Sequence, residues 1–169
     1  MVSDMIKPIS YYVNRNILLI YPFAYWYNRR NWLRGDMDMI STKGRYGLRV
    51  MIDLAQNDDG NYIPLKDIAE RQEISKKYLE IIVKQMVEGG LIKGLSGKGG
   101  GYKLVKKPEK YTVGEILTLM EGTICSVACL ADKNYNCPRR KKCDTLPMWK
   151  EFDGIVHDYL YSKKLSDLL

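Results

Sequence analysis

Four glycines in five positions, Gly97, Gly99, Gly100 and Gly101, lie between two short segments of alternating apolar and polar residues, Leu91–Leu95 and Tyr102–Val105. Glycine weakens a helix but takes positive φ freely. Alternation has the period of a half-buried strand. The stretch therefore reads as a β-hairpin with Lys98 at its tip. What precedes it has the other period. Ser41 or Thr42 can cap a helix from Lys43, with Tyr46, Val50 and Leu54 on one row and Leu48, Met51 and Ala55 on the next. A turn at Asn57–Asn61 leads through Pro64 to a short helical segment, Leu65 to Arg71, and Gln72-Glu73-Ile74 is a tight connection. A third helix begins at Ser75, turns Tyr78, Leu79, Ile82, Val83 and Met86 inward, and stops at Gly89-Gly90. Helix, short helix, turn, helix and hairpin in that order describe a winged helix-turn-helix.

Beyond the hairpin, Thr112 and Glu115 form the sequence of a capping box for a fourth helix, Val113 to Glu121. A loop of about Cys125–Cys143 follows, and an amphipathic helix runs from about Leu146 to Tyr161. The expected fold is mainly α with a small β-hairpin wing. Its parts are a winged helix-turn-helix over 39–111, a linking helix and cysteine loop over 112–145, and a long C-terminal helix with its tail over 146–169.

Residues 1–38 have a different texture, with five tyrosines and two of the three tryptophans. Their apolar run, Ile17 to Tyr27, is too short to span a bilayer and is broken by Pro22. Arg15 precedes that run, but no small-residue cleavage site follows, and Arg29, Arg30 and Arg34 flank the wrong end for a signal peptide. No membrane association is expected. The organised pattern starts just after Met37 and Met39, so 1–38 reads as an extension outside the fold, disordered or not translated natively.

The net charge of +7 suits a polyanionic partner, as it also suits an ordinary basic protein. The helix-turn-helix narrows the choice to duplex DNA over RNA, because the N-terminus of its second helix meets base edges in the major groove. Here that end is Ser75-Lys76-Lys77-Tyr78, with Glu80 one turn on. The lysines can meet phosphates or guanine edges, and Glu80 can accept from a cytosine amino group. The same residues also read as a helix cap and a solvated face. Lys98 at the hairpin tip is placed to enter a minor groove. Lys93, Lys103, Lys106, Lys107 and Lys110 add a basic shoulder. No Gly-Lys-Ser/Thr follows the glycines, which argues against a nucleotide cradle. One histidine, no paired acid–base motif and no nucleophile elbow argue against an enzyme.

Three segments carry a family resemblance: Ser41-Thr42-Lys43-Gly44-Arg45-Tyr46-Gly47-Leu48, Ile74-Ser75-Lys76-Lys77-Tyr78-Leu79-Glu80, and Gly97-Lys98-Gly99-Gly100-Gly101-Tyr102. From Met39 on, the chain resembles the IscR family of iron–sulfur-cluster regulators, which includes the cysteine-metabolism repressor CymR. The resemblance implies a cytoplasmic, homodimeric winged-helix transcription factor bound to operator DNA. Ser41, Lys43 and Arg45 fall in the matching first segment. Ser75, Lys77 and Glu80 stand where members read bases, and Gly97–Gly101 where the wing meets DNA. Where members often carry an arginine before the wing glycines, this chain has Ser96, and Lys98 is the candidate substitute. The resemblance also makes the last helix, with Trp149, Phe152, Ile155, Val156 and Tyr159, the dimer interface. Spacing alone reads that stripe as ordinary core.

All four cysteines lie within Cys125–Cys143, which is not how a disulfide framework spreads through a small secreted domain. The clustering points to a metal or redox site in a reducing compartment. Cluster-bearing members of the family use three cysteines in this loop, a pattern that Cys129, Cys137 and Cys143 match. The implied cofactor is an iron–sulfur cluster, [2Fe–2S] or [4Fe–4S]. Arg139, Arg140, Lys141 and Lys142 can offset the charge of its thiolates, and also read as a solvated basic loop. Members use a histidine three residues after the last cysteine, where this chain has Leu146. Cys125 is the candidate fourth ligand and reads equally as a small buried residue. Asp132, Asp144 or a partner-subunit residue are other candidates, and His157 sits well inside the last helix. Four thiolates also suit zinc, but no Cys-x-x-Cys pair is present. The alternative is a metal-free, CymR-like repressor governed by a partner enzyme or by thiol oxidation.

Overall fold

The computed structural model describes residues 39–131 and 136–169. The expectations about residues 1–38, and the candidate ligand Asp132, lie outside the described residues. Helix α1 spans Thr42–Gln56, capped by Ser41, whose hydroxyl accepts from the Gly44 N–H at 3.3 Å. Its core face is Val50, Met51 and Leu54. Gly44 and Gly47 lie where α1 crosses the fourth helix. A Cβ at Gly47 would stand 2.7 Å from the Met120 side chain, so only glycine allows this approach.

Helix α2, Leu65–Gln72, follows Pro64 and buries Leu65 and Ile68. The turn of the helix-turn-helix is Glu73, in the left-handed region at φ 53°, with its N–H on the last carbonyls of α2. Helix α3, Lys76–Glu88, buries Leu79, Ile82, Val83 and Met86. It ends in a Schellman motif. Gly90, at φ 70°, donates to the Val87 carbonyl, Leu91 donates to that of Met86, and both Leu91 and Met86 are buried.

The wing is strand β1, Ile92–Leu95, antiparallel to β2, Gly101–Leu104, in the register Ile92↔Leu104 and Leu95↔Gly101. Each strand lies one residue inside or beside its expected bounds. Ile63 pairs with Tyr102 through two backbone bonds of 2.9 and 2.8 Å, which ties the wing to the chain before α2. Gly101 has no room for a Cβ, which would strike the Ile63 carbonyl.

Helix α4, Val113–Glu121, carries the expected capping box: Glu115 N–H to Thr112 Oγ1 at 3.0 Å, and Thr112 N–H to Glu115 Oε2 at 2.8 Å. The Thr112 N–H, and after it the Thr112 hydroxyl, donate to the Glu115 carboxylate and hold it below its usual range. A short helix α5, Ala128–Ala131, and a 3-10 turn, Arg140–Lys142, lie in the cysteine loop. Helix α6 runs from Leu146 to Ser162.

Helix α6 corrects the core reading of its apolar stripe. It has no buried residue, and Ile155 and Tyr159 are 63% and 60% exposed. Its C-terminal end leans on α4 instead. The Tyr161 ring lies against Gly114, and its hydroxyl is 3.2 Å from Thr118 Oγ1. After α6 the chain turns back: Val113 N–H donates to Lys163, Leu165 N–H donates to Tyr111, and the Leu165 side chain enters the core with no exposure. None of the described helices is long and apolar enough to cross a membrane.

Candidate nucleic-acid interface and cysteine loop

Ser75 is the N-cap of α3 and accepts from the Tyr78 N–H at 3.3 Å. Lys76, Lys77 and Glu80 follow on the exposed side. Tyr78 is half-buried and meets Tyr46 of α1 edge-on, with ring centroids 5.8 Å apart. Arg49 lies over the Tyr46 ring, 5.3 Å from its centre, and donates from Nε to Gln72 Oε1 at 3.0 Å and from its terminal nitrogen to the Gln72 carbonyl. The first half of α1 is thereby packed beside the start of α3. Arg45 is exposed and donates to Thr42 Oγ1, and Lys43 is half-exposed.

Helix α3 and the wing line one groove. Its lining includes Lys76 and Lys84 of α3, Leu95, Gly97 and Gly100 of the wing, and Lys66 of α2. The tip turns on Gly97 at φ 97° and Gly99 at φ 77°, with Gly100 N–H donating to Gly97 O at 3.0 Å, and presents Lys98 to solvent. Lys103 is drawn out of the basic shoulder: its ammonium donates to the Gly60 carbonyl at 3.1 Å and sits 4.7 Å from the centre of the Tyr62 ring.

Sequence reasoning missed the ion pair beneath this surface. Asp53 of α1 is 1% exposed. Arg71 grips it with Nε at 3.0 Å and the terminal nitrogen at 2.6 Å, and Gln72 Nε2 adds a bond of 3.0 Å. The hydrogen bonds from Arg71 to Asp53 are what raise the affinity of that guanidinium for its proton. A charge three positions after Val50, on an apolar face, was the available signal. Ser41 was placed correctly as a cap, but its main partner was not foreseen. Its N–H and hydroxyl both donate to Glu121 Oε1, at 3.0 and 2.8 Å. Glu121 is the last residue of α4, so the start of α1 is tied to the point where the cysteine loop begins.

Cys125, Cys129, Cys137 and Cys143 are all free thiols of intermediate exposure. Burial, then Asp153, pushes the Cys125 thiol pKa up. Thr145 Oγ1, 3.5 Å from the Cys143 sulfur, brings that one down. Arg140 reaches across the loop to the Cys129 carbonyl at 3.5 Å, and Ser126 N–H donates to Asp153 of α6 at 2.8 Å. Among the described residues no three Cys, His, Asp or Glu side chains converge as ligands. Four soft thiols on one loop, and a buried Ser126 hydroxyl with no partner among the described residues, nevertheless fit an iron–sulfur group by donor chemistry. His157 is not gathered with them: it stacks on Tyr161 at 4.4 Å and lies 3.1 Å from Asp158.

Residues 40–169 fit the Rrf2 family, described as an iron-dependent transcriptional regulator. The chain is similar to protein rrf2 of Nitratidesulfovibrio vulgaris, with 35% identity over 130 residues, covering 77% of this chain and 86% of that protein. It is similar to the structure of CymR, the global cysteine regulator of B. subtilis, with a TM-score of 0.61 and 36% identity, covering 76% of this chain and 94% of that one. It is similar also to T. potens IscR, with a TM-score of 0.61 and 33% identity, covering 76% and 84%. Its helix-turn-helix, wing and long C-terminal helix are those of these regulators, so the chain belongs to the Rrf2 family and is a DNA-binding winged-helix transcriptional regulator, not an enzyme.

Proposed function

We propose that this protein is a cytoplasmic homodimer whose operator affinity responds to an iron–sulfur cluster on the Cys125–Cys143 loop. In this reading residues 39–111 bind DNA, 112–145 sense, and 146–169 pair the protomers. The observation that carries it is the placement of all four cysteines on one segment between α4 and α6, next to four consecutive cations, Arg139–Lys142. Cys129, Cys137 and Cys143 are the proposed ligands, with Cys125 as candidate fourth. The exposed stripe of Phe152, Ile155 and Tyr159 supports pairing through α6, since an apolar face of this kind costs free energy in water. A bound cluster supplies redox chemistry and a fixed loop shape; the chain supplies the thiols, the compensating cations, and the Glu121–Ser41 tie toward α1. Regulation then requires that the two loop states differ in affinity for DNA.

The test is anaerobic purification followed by absorption spectroscopy with iron and sulfide content. The unmodified protein is expected to absorb in the visible, and Cys129→Ala, Cys137→Ala and Cys143→Ala each to lose that absorbance. Full retention in all three removes the cluster from the account. The second reading is a metal-free repressor controlled by a partner protein or by thiol oxidation. It is favoured by the absence of converging ligands among the described residues and by similarity to CymR, a cysteine regulator. Protein prepared without oxygen that contains no iron or sulfide selects it.

For DNA, Ser75, Lys76, Lys77, Tyr78 and Glu80 are proposed to enter the major groove, with Lys98 and the wing glycines at the adjacent minor groove. Ser41, Lys43 and Arg45 are the proposed contacts at the start of α1. Lys77→Ala and Lys98→Ala are each expected to weaken operator binding and to reduce the slope of log K against log salt by about 1. Anisotropy titrations from low to moderate salt measure both quantities, and unchanged slopes in both variants remove this docking.

A further inference from the structure

Tyr111 lies outside the helix-turn-helix and the hairpin, yet its hydroxyl closes the open end of the wing. The oxygen accepts the Val105 N–H at 3.0 Å and the Lys106 N–H at 2.7 Å, and donates to the Leu91 carbonyl at 2.8 Å. One donor and two acceptor sites are all a phenol has, so each is used, and all are used on the two feet of the hairpin. Leu91 immediately precedes β1, and Val105 and Lys106 immediately follow β2. The direct backbone bond there, Val105 N–H to Leu91 O, is 3.5 Å long. The phenol therefore does what a further ladder rung would do. The ring is fully buried in the core, and Lys106 caps it at 5.5 Å. The backbone carbonyl of the same residue accepts from Leu165, in the tail that follows α6.

We infer that Tyr111 is a positioning residue for DNA recognition: it sets the angle at which the wing presents Lys98, and it joins the feet of the wing to the tail of the C-terminal helix. This rests on the reading that Lys98 meets DNA. The geometry gives the reason for the leverage. Five residues at about 3.3 Å each put the tip about 16 Å from the feet, so a tilt of about 10° at the feet moves the tip by about 3 Å. A contact that must hold to about 0.5 Å does not survive that displacement. Strands of four residues do not hold the wing alone: the Ile63–Tyr102 bonds hold β2 from one side, and the phenol holds the feet.

The experiment is a double-mutant cycle on operator binding with Tyr111→Phe and Lys98→Ala. Tyr111→Phe keeps the buried ring and removes only the hydroxyl. It is expected to leave the far-UV circular dichroism unchanged and to weaken operator binding about fivefold. Lys98→Ala is expected to cost about fivefold in the unmodified chain and under about twofold in the Tyr111→Phe background, because a misplaced lysine has little left to lose. Equal costs in both backgrounds overturn the positioning role while leaving the wing contact intact. No cost of Lys98→Ala in the unmodified chain overturns the wing contact, and this role with it. Should Tyr111→Phe not fold, hydrogen exchange of the unmodified chain decides. The Val105 and Lys106 amides, although outside the ladder, are expected to exchange as slowly as that of Lys103, which pairs with Lys93 inside it; exchange at the rate of an open loop overturns the clamp.

Discussion

Arg71→Met is expected to destabilise the folded chain by about 3 kcal/mol. Asp53 is almost completely shielded from water, and Arg71 supplies two of the three side-chain hydrogen bonds that its carboxylate receives. Methionine keeps the packed stem but leaves the buried charge with Gln72 alone. The Arg71 side chain is 38% exposed, so part of its own desolvation is never incurred, which puts the expected loss at the lower end of values for breaking a buried pair. In a unit of this size the melting temperature should fall by about 10 °C, measured at one protein concentration. Adding Asp53→Leu to the same chain should recover most of the loss, because the orphaned charge is then gone. A change in Arg71→Met below about 0.5 kcal/mol shows that the pair is dispensable. The pair also bears on function. It joins α1 to the last turn of α2, just before the turn that aims α3.

The second large effect is expected at the other end of the chain. Leu165→Ala removes a side chain with no exposure from the core, where its turn packs against α1 and the Pro108–Lys110 turn before α4. A loss of about 3 kcal/mol follows from the transfer and cavity terms together. Leu168, three residues on, is 39% exposed, and Leu168→Ala should cost under about 1 kcal/mol. Urea unfolding separates them, with the midpoint of Leu165→Ala falling at nearly constant m. Equal midpoints for the two variants contradict the placement of the tail in the core. Because Leu165 N–H also donates to Tyr111, loss of this anchor should loosen the hold of the tail on the feet of the wing.

Much of the fold was legible because its signals are local. The Ser75 cap, the Thr112–Glu115 box and the Gly89-Gly90 stop each act within one helical turn, and each forms as read. The glycine turn was legible because few residues accept φ of 97° and 77°. The exposure of Ser75, Lys76, Lys77 and Glu80 was legible because the apolar stripe of α3 fixes which face turns inward. Partners separated by long stretches of chain were not. The Ser41–Glu121 bonds span 80 residues, and neither residue type announces the other. Tyr111 reads in sequence as one tyrosine among thirteen. Its three bonds depend on where Leu91 and Val105 come to rest.

By itself, then, the sequence determined which segments are helix, hairpin or turn, and which surface carries the exposed lysines at the start of α3 and the wing tip. Periodicity, caps and glycine conformations are properties of neighbouring residues, and they survive translation into structure with little change. The tertiary structure alone decided which apolar face becomes core. A helical stripe is the same pattern whether another element covers it or water does. The stripe on α6 stayed exposed, and Leu165, which belongs to no stripe, was buried instead. Burial depends on what packs opposite, and that is set by the whole chain.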